Sequence, residues 1–236
     1  MNERGELRAV GELPLTSGAA VNDGRPGGST PWEPEAALAA PASAVERAML
    51  ERLNARVFDV ASTEGKVDAR FAFLPSPMGR ILVVATDRGL LRIGFDTEDP
   101  EAVLLEVSAV AGPIVVEDPE GLRLYLRELE EFFEGGRRTF DLPLDFALTK
   151  LGGFRATVQQ ALAKIPFGST RSYTEMATMV GNPKAVRAVG SACAQNPLPI
   201  VLPCHRVVRT DGSFGNYRGG HDRKKWILEW EARLAG

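Results

Sequence analysis

Two amino acids that carry much of protein chemistry are nearly missing here. The 236 residues hold two cysteines, Cys193 and Cys204, and two histidines, His205 and His221. So few cysteines cannot build a disulfide framework and suit a reducing compartment. Their spacing with the histidines matches no familiar zinc pattern, so no metal site is expected. No run reaches about 18 apolar residues, so no membrane-spanning helix and no membrane partner is expected. The opening MNERGELRAV has no apolar stretch, so no secretory signal is expected. The expected location is the cytoplasm.

Apolar residues make up 44 % of the chain, enough for the core of one or two globular domains. The net charge of −3 hides an asymmetry. From residue 146 onward there are thirteen Lys/Arg against five Asp/Glu, while the remainder carries fifteen against twenty-six. A basic C-terminal third reads either as a polyanion-binding module or as a solvated basic face.

Residues 1–66 read as a flexible extension with one helix over 43–57, marked by Val45, Met49, Leu53 and Val57 on one face. Residues 67–145 read as a small α/β domain with a mostly antiparallel sheet. Strands are predicted near 69–74, 80–86, 89–95 and 114–117, with Asp87-Arg88-Gly89 as a tight hairpin turn. Helices are predicted over 99–111 and from Asp118-Pro119 to Phe133, stopped by Gly135-Gly136. Residues 146–236 form the second domain. A helix over 153–164 is followed by a short helix over 174–180, a break at Gly181-Asn182-Pro183 and a second helix over 184–195. Ala185, Ala188, Val189 and Ala192 are its expected packing face. Lys184 and Arg187 fall near its start, where a recognition helix meets DNA.

The run Leu202-Pro203-Cys204-His205-Arg206-Val207-Val208 has two readings. Free cysteine packs as a small hydrophobe. It is also a nucleophile once a base or a positive field forms the thiolate, which is only a few per cent populated at neutral pH. His205 is adjacent, and a turn at 203–205 would let the two side chains meet directly or through one water. A basic histidine needs a third group to fix its tautomer. Glu229 and Glu231 are the candidates, and Glu231, four residues after the apolar Ile227, is the inward choice.

The string Asn196-Pro197-Leu198-Pro199-Ile200-Val201-Leu202-Pro203-Cys204-His205-Arg206-Val207-Val208 closely resembles the active-site signature of the 6-O-alkylguanine-DNA alkyltransferases. Ser172-Tyr173-Thr174 and Gly181 to Gly190 resemble that family's helix-turn-helix, and Gly215 to Gly220 its substrate-pocket loop. Lys224-Lys225-Trp226 and Glu231 resemble its final helix. The segment 71–95 is similar to its N-terminal domain. The resemblance implies an α+β fold: a ribonuclease-H-like domain followed by a winged helix-turn-helix domain. It implies repair of double-stranded DNA by irreversible, single-turnover alkyl transfer from flipped-out 6-O-alkylguanine, and also from 4-O-alkylthymine. It implies no cofactor and a monomer in solution, with cooperativity on DNA left open. It implies that Cys204 accepts the alkyl group, that His205 deprotonates it through a water, that Glu231 holds the histidine and that Asn196 ties the recognition helix to the active-site segment. Arg187 would enter the base stack. Tyr173 would turn the 3′ phosphate and help protonate the departing guanine. Lys184 and Gly190 belong to the same DNA-binding set, and Val207, Tyr217, Arg218 and Gly219 to the pocket.

Arg218 stands where many relatives carry a small residue, and is expected to narrow the pocket or reach a phosphate. Cys193 is expected to be a packing residue. The four-cysteine module of the adaptive-response regulators is absent, so no methylation-switched activator is expected. The alternative reading is a non-catalytic alkyltransferase-like lesion binder, which would replace Cys204.

Overall fold

The computed structural model describes residues 67–149 and 153–235. The predicted extension and its helix over 43–57 lie outside the described residues.

The sheet has the order β3-β2-β1-β4, built from β1 (Ala69–Ser76), β2 (Gly79–Thr86), β3 (Gly89–Phe95) and β4 (Val115–Glu117). Its first three strands are antiparallel neighbours, and β4 runs parallel to β1. The β2–β3 hairpin turns on Asp87-Arg88, with Thr86 opposite Gly89. Gly89 has φ +140°, and a side chain there would strike the Pro143 carbonyl. All seven β3 residues are buried, although it is an edge strand. Its free edge is covered instead of exposed. Leu90 N–H bonds to Pro143 O (2.8 Å), Asp145 N–H to Leu90 O (2.8 Å), and Ile93 N–H to Pro197 O (2.8 Å). The last of these fastens the sheet to the Cys204 segment.

Helix α1 (Pro100–Ala111) starts at Asp99, whose side chain accepts from Glu101 N–H, with proline in the first turn. Its Val103, Leu104 and Val107 close one face of the sheet over Phe71, Leu82 and Val84. Helix α2 (Arg123–Phe133) begins five residues later than predicted. Asp118 accepts from Gly121 N–H (2.8 Å) and holds residues 118–122 in a turn.

The C-terminal half contains α3 (Phe154–Leu162), β5 (Arg171–Ser172), α4 (Tyr173–Met179), α5 (Val186–Ala194), a 3₁₀ turn (Cys204–Arg206), β6 (Val207–Val208) and α6 (His221–Ala235). Strands β5 and β6 pair in parallel. A capping box starts α4: Ser172 Oγ accepts from Glu175 N–H, and Glu175 accepts from Ser172 N–H. The second helix of the pair begins at Val186, not Lys184. Pro183 sits at the second position of a β-turn closed by Ala185 N–H to Asn182 O (3.0 Å), so Lys184 lies in the turn. Ala188 is exposed instead of packed. The inward face of α5 is Val189, Ala192 and Cys193.

One core runs through both halves, with Leu90, Ile93, Leu129 and Phe132 meeting Val158, Leu162, Val189 and Ile227. Aromatic rings seal α2 to α6. Phe132 lies 5.1 Å from Trp230, which stacks on Trp226 at 5.9 Å.

Candidate active site

Asn196 follows α5 directly and is buried. Its Nδ2 donates to Leu202 O (2.7 Å), and its Oδ1 accepts from Leu198 N–H (3.1 Å). One side chain thus folds residues 196–202 into a tight arch between α5 and Cys204. Ile200, on this arch, has φ +76°, the one non-glycine positive φ among the described residues. A β-branched residue in that region carries strain, of order 1–3 kcal/mol. The arch ends in the 3₁₀ turn, so Cys204 and His205 do not splay to opposite faces as they would on a strand.

His205 is wholly buried and its Nε2 lies 2.9 Å from Glu231 Oε1. Glu231 also receives a two-pronged bond from Arg206, Nε to Oε2 and Nη2 to Oε1, both 2.9 Å, and one from Gly168 N–H (3.1 Å). Arg206 Nη1 donates to Ile165 O (2.6 Å), so the whole cation is satisfied inside the protein. Burial alone would raise the Glu231 pKa, but its bonds to His205 and Arg206 hold it at about 2. Burial lowers the His205 pKa, against the pull of Glu231. The imidazole is therefore neutral near pH 7, and Arg206 is the charge that keeps Glu231 ionised. An ionised carboxylate can only accept, so the proton of His205 sits on Nε2. Its Nδ1 is left as a buried lone pair with no partner.

Cys204 is 2 % exposed. Burial raises its pKa, while the Asn196 amide and the charges of Lys224 and Arg218 work in the opposite direction. Lys224 is itself buried; its Nζ donates to Val207 O (2.6 Å) and lies 6.0 Å from the Tyr173 ring. Burial pushes the Tyr173 hydroxyl up to about 12, so it is a proton donor at neutral pH. Gly215 closes against that hydroxyl, and a side chain there would overlap Tyr173 Oη. Cys193 is buried among apolar residues, and burial raises its thiol pKa.

The pocket loop leans on the sheet. Tyr217 is buried, with its ring 5.7 Å from Phe95 and 6.3 Å from His205. Gly219 lies so near Phe95 and Tyr217 that an added Cβ would sit 3.0 Å from each. Tyr217 Oη and Arg218 Nε are buried without partners. Together with His205 Nδ1, they give this region three unsatisfied polar atoms, the mark of a site that a ligand completes. Arg218 is half-buried. Its Nη1 is held by Glu98 Oε2 at 2.9 Å.

Arg187, Lys184 and Ala188 lie on the exposed face of the helix pair. Gly190 is half-buried, 3.9 Å from Tyr173 when a Cβ is added. The structure thus gathers Cys204, His205, Glu231, Asn196, Val207, Tyr217, Arg218 and Tyr173 around one centre, and leaves Arg187 and Lys184 outside it. Glu229 is exposed and lies 3.9 Å from Lys225. Sequence reasoning missed Arg206, Lys224 and Glu98. Lys224 had a signal, since 224, 227 and 231 form one helical stripe. Glu98 had none, being 120 residues from Arg218.

Two family models match the chain. Residues 69–146 match the 6-O-methylguanine DNA methyltransferase ribonuclease-like domain, and residues 153–233 match the DNA binding domain of the same family. This chain belongs to the 6-O-methylguanine DNA methyltransferase family. It is 38 % identical to the inducible methylated-DNA–protein-cysteine methyltransferase of Bacillus subtilis, over 65 % of this chain and 84 % of that one. It is 39 % identical to the rat (Rattus norvegicus) methylated-DNA–protein-cysteine methyltransferase, over 71 % and 84 %. Among solved structures, the Mycobacterium tuberculosis O6-methylguanine methyltransferase aligns with a TM-score of 0.61 and 32 % identity, covering 71 % of this chain and 95 % of that one. A structure of the M. tuberculosis protein in complex with DNA aligns with a TM-score of 0.58 and 32 % identity, over 70 % and 93 %. The mixed α/β fold with a mostly antiparallel sheet and a helical C-terminal half is the fold of these relatives.

Proposed function

We propose that this protein repairs DNA by taking the alkyl group of 6-O-alkylguanine onto Sγ of Cys204, once per molecule. The observation that carries this reading is the buried His205, oriented by Glu231 and left with a free lone pair on Nδ1, one residue from the thiol. Through one water, Nδ1 takes the thiol proton. The thiolate attacks the alkyl carbon, a C–S bond forms, the C–O bond breaks, and its electron pair stays on the guanine. Tyr173, still protonated near pH 7, supplies a proton to the departing base. The thioether has a poor leaving group and is not readily broken, so the protein is consumed.

A base within a duplex cannot expose its alkyl carbon for in-line attack, so the nucleotide must leave the stack, at a few kcal/mol. Arg187, exposed on α5, fills the vacated space. Lys184 and the basic C-terminal half hold phosphates without reading sequence. Tyr217, Arg218, Gly219 and the Val207 backbone line the pocket that receives the base. 4-O-alkylthymine, with the same alkyl–oxygen chemistry, is a second substrate.

The test is intact-protein mass spectrometry after incubation with a duplex carrying one 6-O-methylguanine. The expected product is heavier by one methylene, mapped to the peptide containing Cys204, and absent in Cys204→Ser. Tight lesion binding without mass gain would instead identify a lesion binder.

A further inference from the structure

The end of β3 and the turn after it meet the pocket loop at three points. Phe95 packs on Tyr217 and lies against Gly219. Asp96 binds Arg223 Nη2 (2.5 Å), and Arg223 Nη1 donates to Gly219 O (3.1 Å). Glu98 binds Arg218 Nη1 (2.9 Å). The two clamps differ in kind. Arg223 fixes loop backbone, whereas Glu98 fixes only the long side chain of Arg218.

Glu98 is itself firmly held. Its Oε1 accepts from Phe95 N–H (3.0 Å), and its Oε2 pairs with the guanidinium of Arg92, a residue 1 % exposed in the sheet. Burial alone would raise the Glu98 pKa; Arg92, Phe95 and Arg218 bring it below the ordinary carboxylate range. A buried arginine in the middle of a strand is costly unless its charge is matched. Here the matching carboxylate reaches onward to the loop beside Cys204.

We propose that Glu98, in the ribonuclease-like half, is a positioning residue for the alkyl-acceptor pocket. By pinning the Arg218 guanidinium against the sheet, it sets the largest alkyl group that fits beside Cys204. This rests on the alkyl-transfer reading above. An unpinned arginine has many rotamers. Those rotamers sweep the pocket mouth, where they collide with a bulky alkyl group and leave a methyl group untouched. Glu98 thus governs discrimination between adducts and takes no part in the chemistry.

The experiment measures thioether formation at Cys204 with two duplexes, one carrying 6-O-methylguanine and one 6-O-benzylguanine. Glu98→Gln keeps the size and the Phe95 bond but removes the charge that pins Arg218. It is expected to lower the benzyl-to-methyl rate ratio about tenfold, within the range of steric discrimination in pockets. Arg218→Ala is expected to raise the ratio, and the double variant to match Arg218→Ala. Both rates come from one preparation, so loss of folded protein cancels in the ratio. An unchanged ratio in Glu98→Gln, or the same loss when Arg218 is already alanine, overturns the proposal. If Glu98→Gln does not fold, an unchanged ratio in Arg218→Ala overturns it. Absence of any thioether in the unaltered protein is a different result, and removes the alkyl-transfer reading itself.

Discussion

Glu231 has two duties, and each has its own pH signature. Its folded pKa of about 2 lies below the 4.5 of a free glutamate. A depressed carboxylate stabilises the fold above its unfolded pKa and loses that contribution as pH falls toward the folded value. Unfolding free energy should therefore drop as the pH falls from about 4.5 toward about 2. Denaturant titrations should show this drop, and Glu231→Gln should flatten it. The second duty is orientation of His205. Glu231→Gln should slow methyl transfer by about 10- to 100-fold, the usual cost of losing a supporting group, in a single-turnover assay. Because burial lowers the His205 pKa, the rate should fall on acidification at a lower pH than an ordinary histidine would give, which a pH–rate profile measures.

Among the elements, the recognition helix makes the sharpest prediction. Arg187 is exposed and lies outside the buried cluster, so the role proposed for it concerns opening of the duplex and not the chemistry. Arg187→Ala should slow repair of duplex DNA by at least about tenfold while leaving reaction with free 6-O-methylguanine base nearly unchanged. Equal losses on both substrates would refute the role. The elements were legible where short-range chemistry decides them. The strands on either side of Asp87-Arg88 and the helices that follow Asp99 and Ser172 begin within one residue of their expected positions. They were misplaced where a turn takes over the start of a helix, as Asp118 and Pro183 do. At the site, helical period distinguished Glu231 from Glu229. Arg206 and Lys224 were overlooked because buried cations run against the default, and only tertiary partners make them acceptable. The Glu98–Arg218 contact depends on how two distant loops fold back, which no local pattern encodes.

For the whole molecule, charge asymmetry and the shared core decide behaviour. The basic residues beyond 146 should make DNA affinity fall linearly on a log–log plot against salt, with a slope near −0.9 per phosphate contact. Fluorescence anisotropy between low and moderate salt measures it, and a flat line would exclude phosphate contacts as the source of affinity. The common core also means that neither half is expected to hold its shape alone. Phe132→Ala, which removes the ring facing Trp230, should destabilise by about 3–5 kcal/mol and loosen both halves together. A last consequence concerns the almost complete enclosure of Cys204. A molecule that works once must reach its lesion with its thiol intact, through a cell full of oxidants and stray electrophiles. Enclosure and a raised pKa keep the sulfur poorly reactive toward such agents. In the folded protein, iodoacetamide should label Cys204 far more slowly than after unfolding. Under the proposed single-use chemistry, burial gives the reagent a long shelf life.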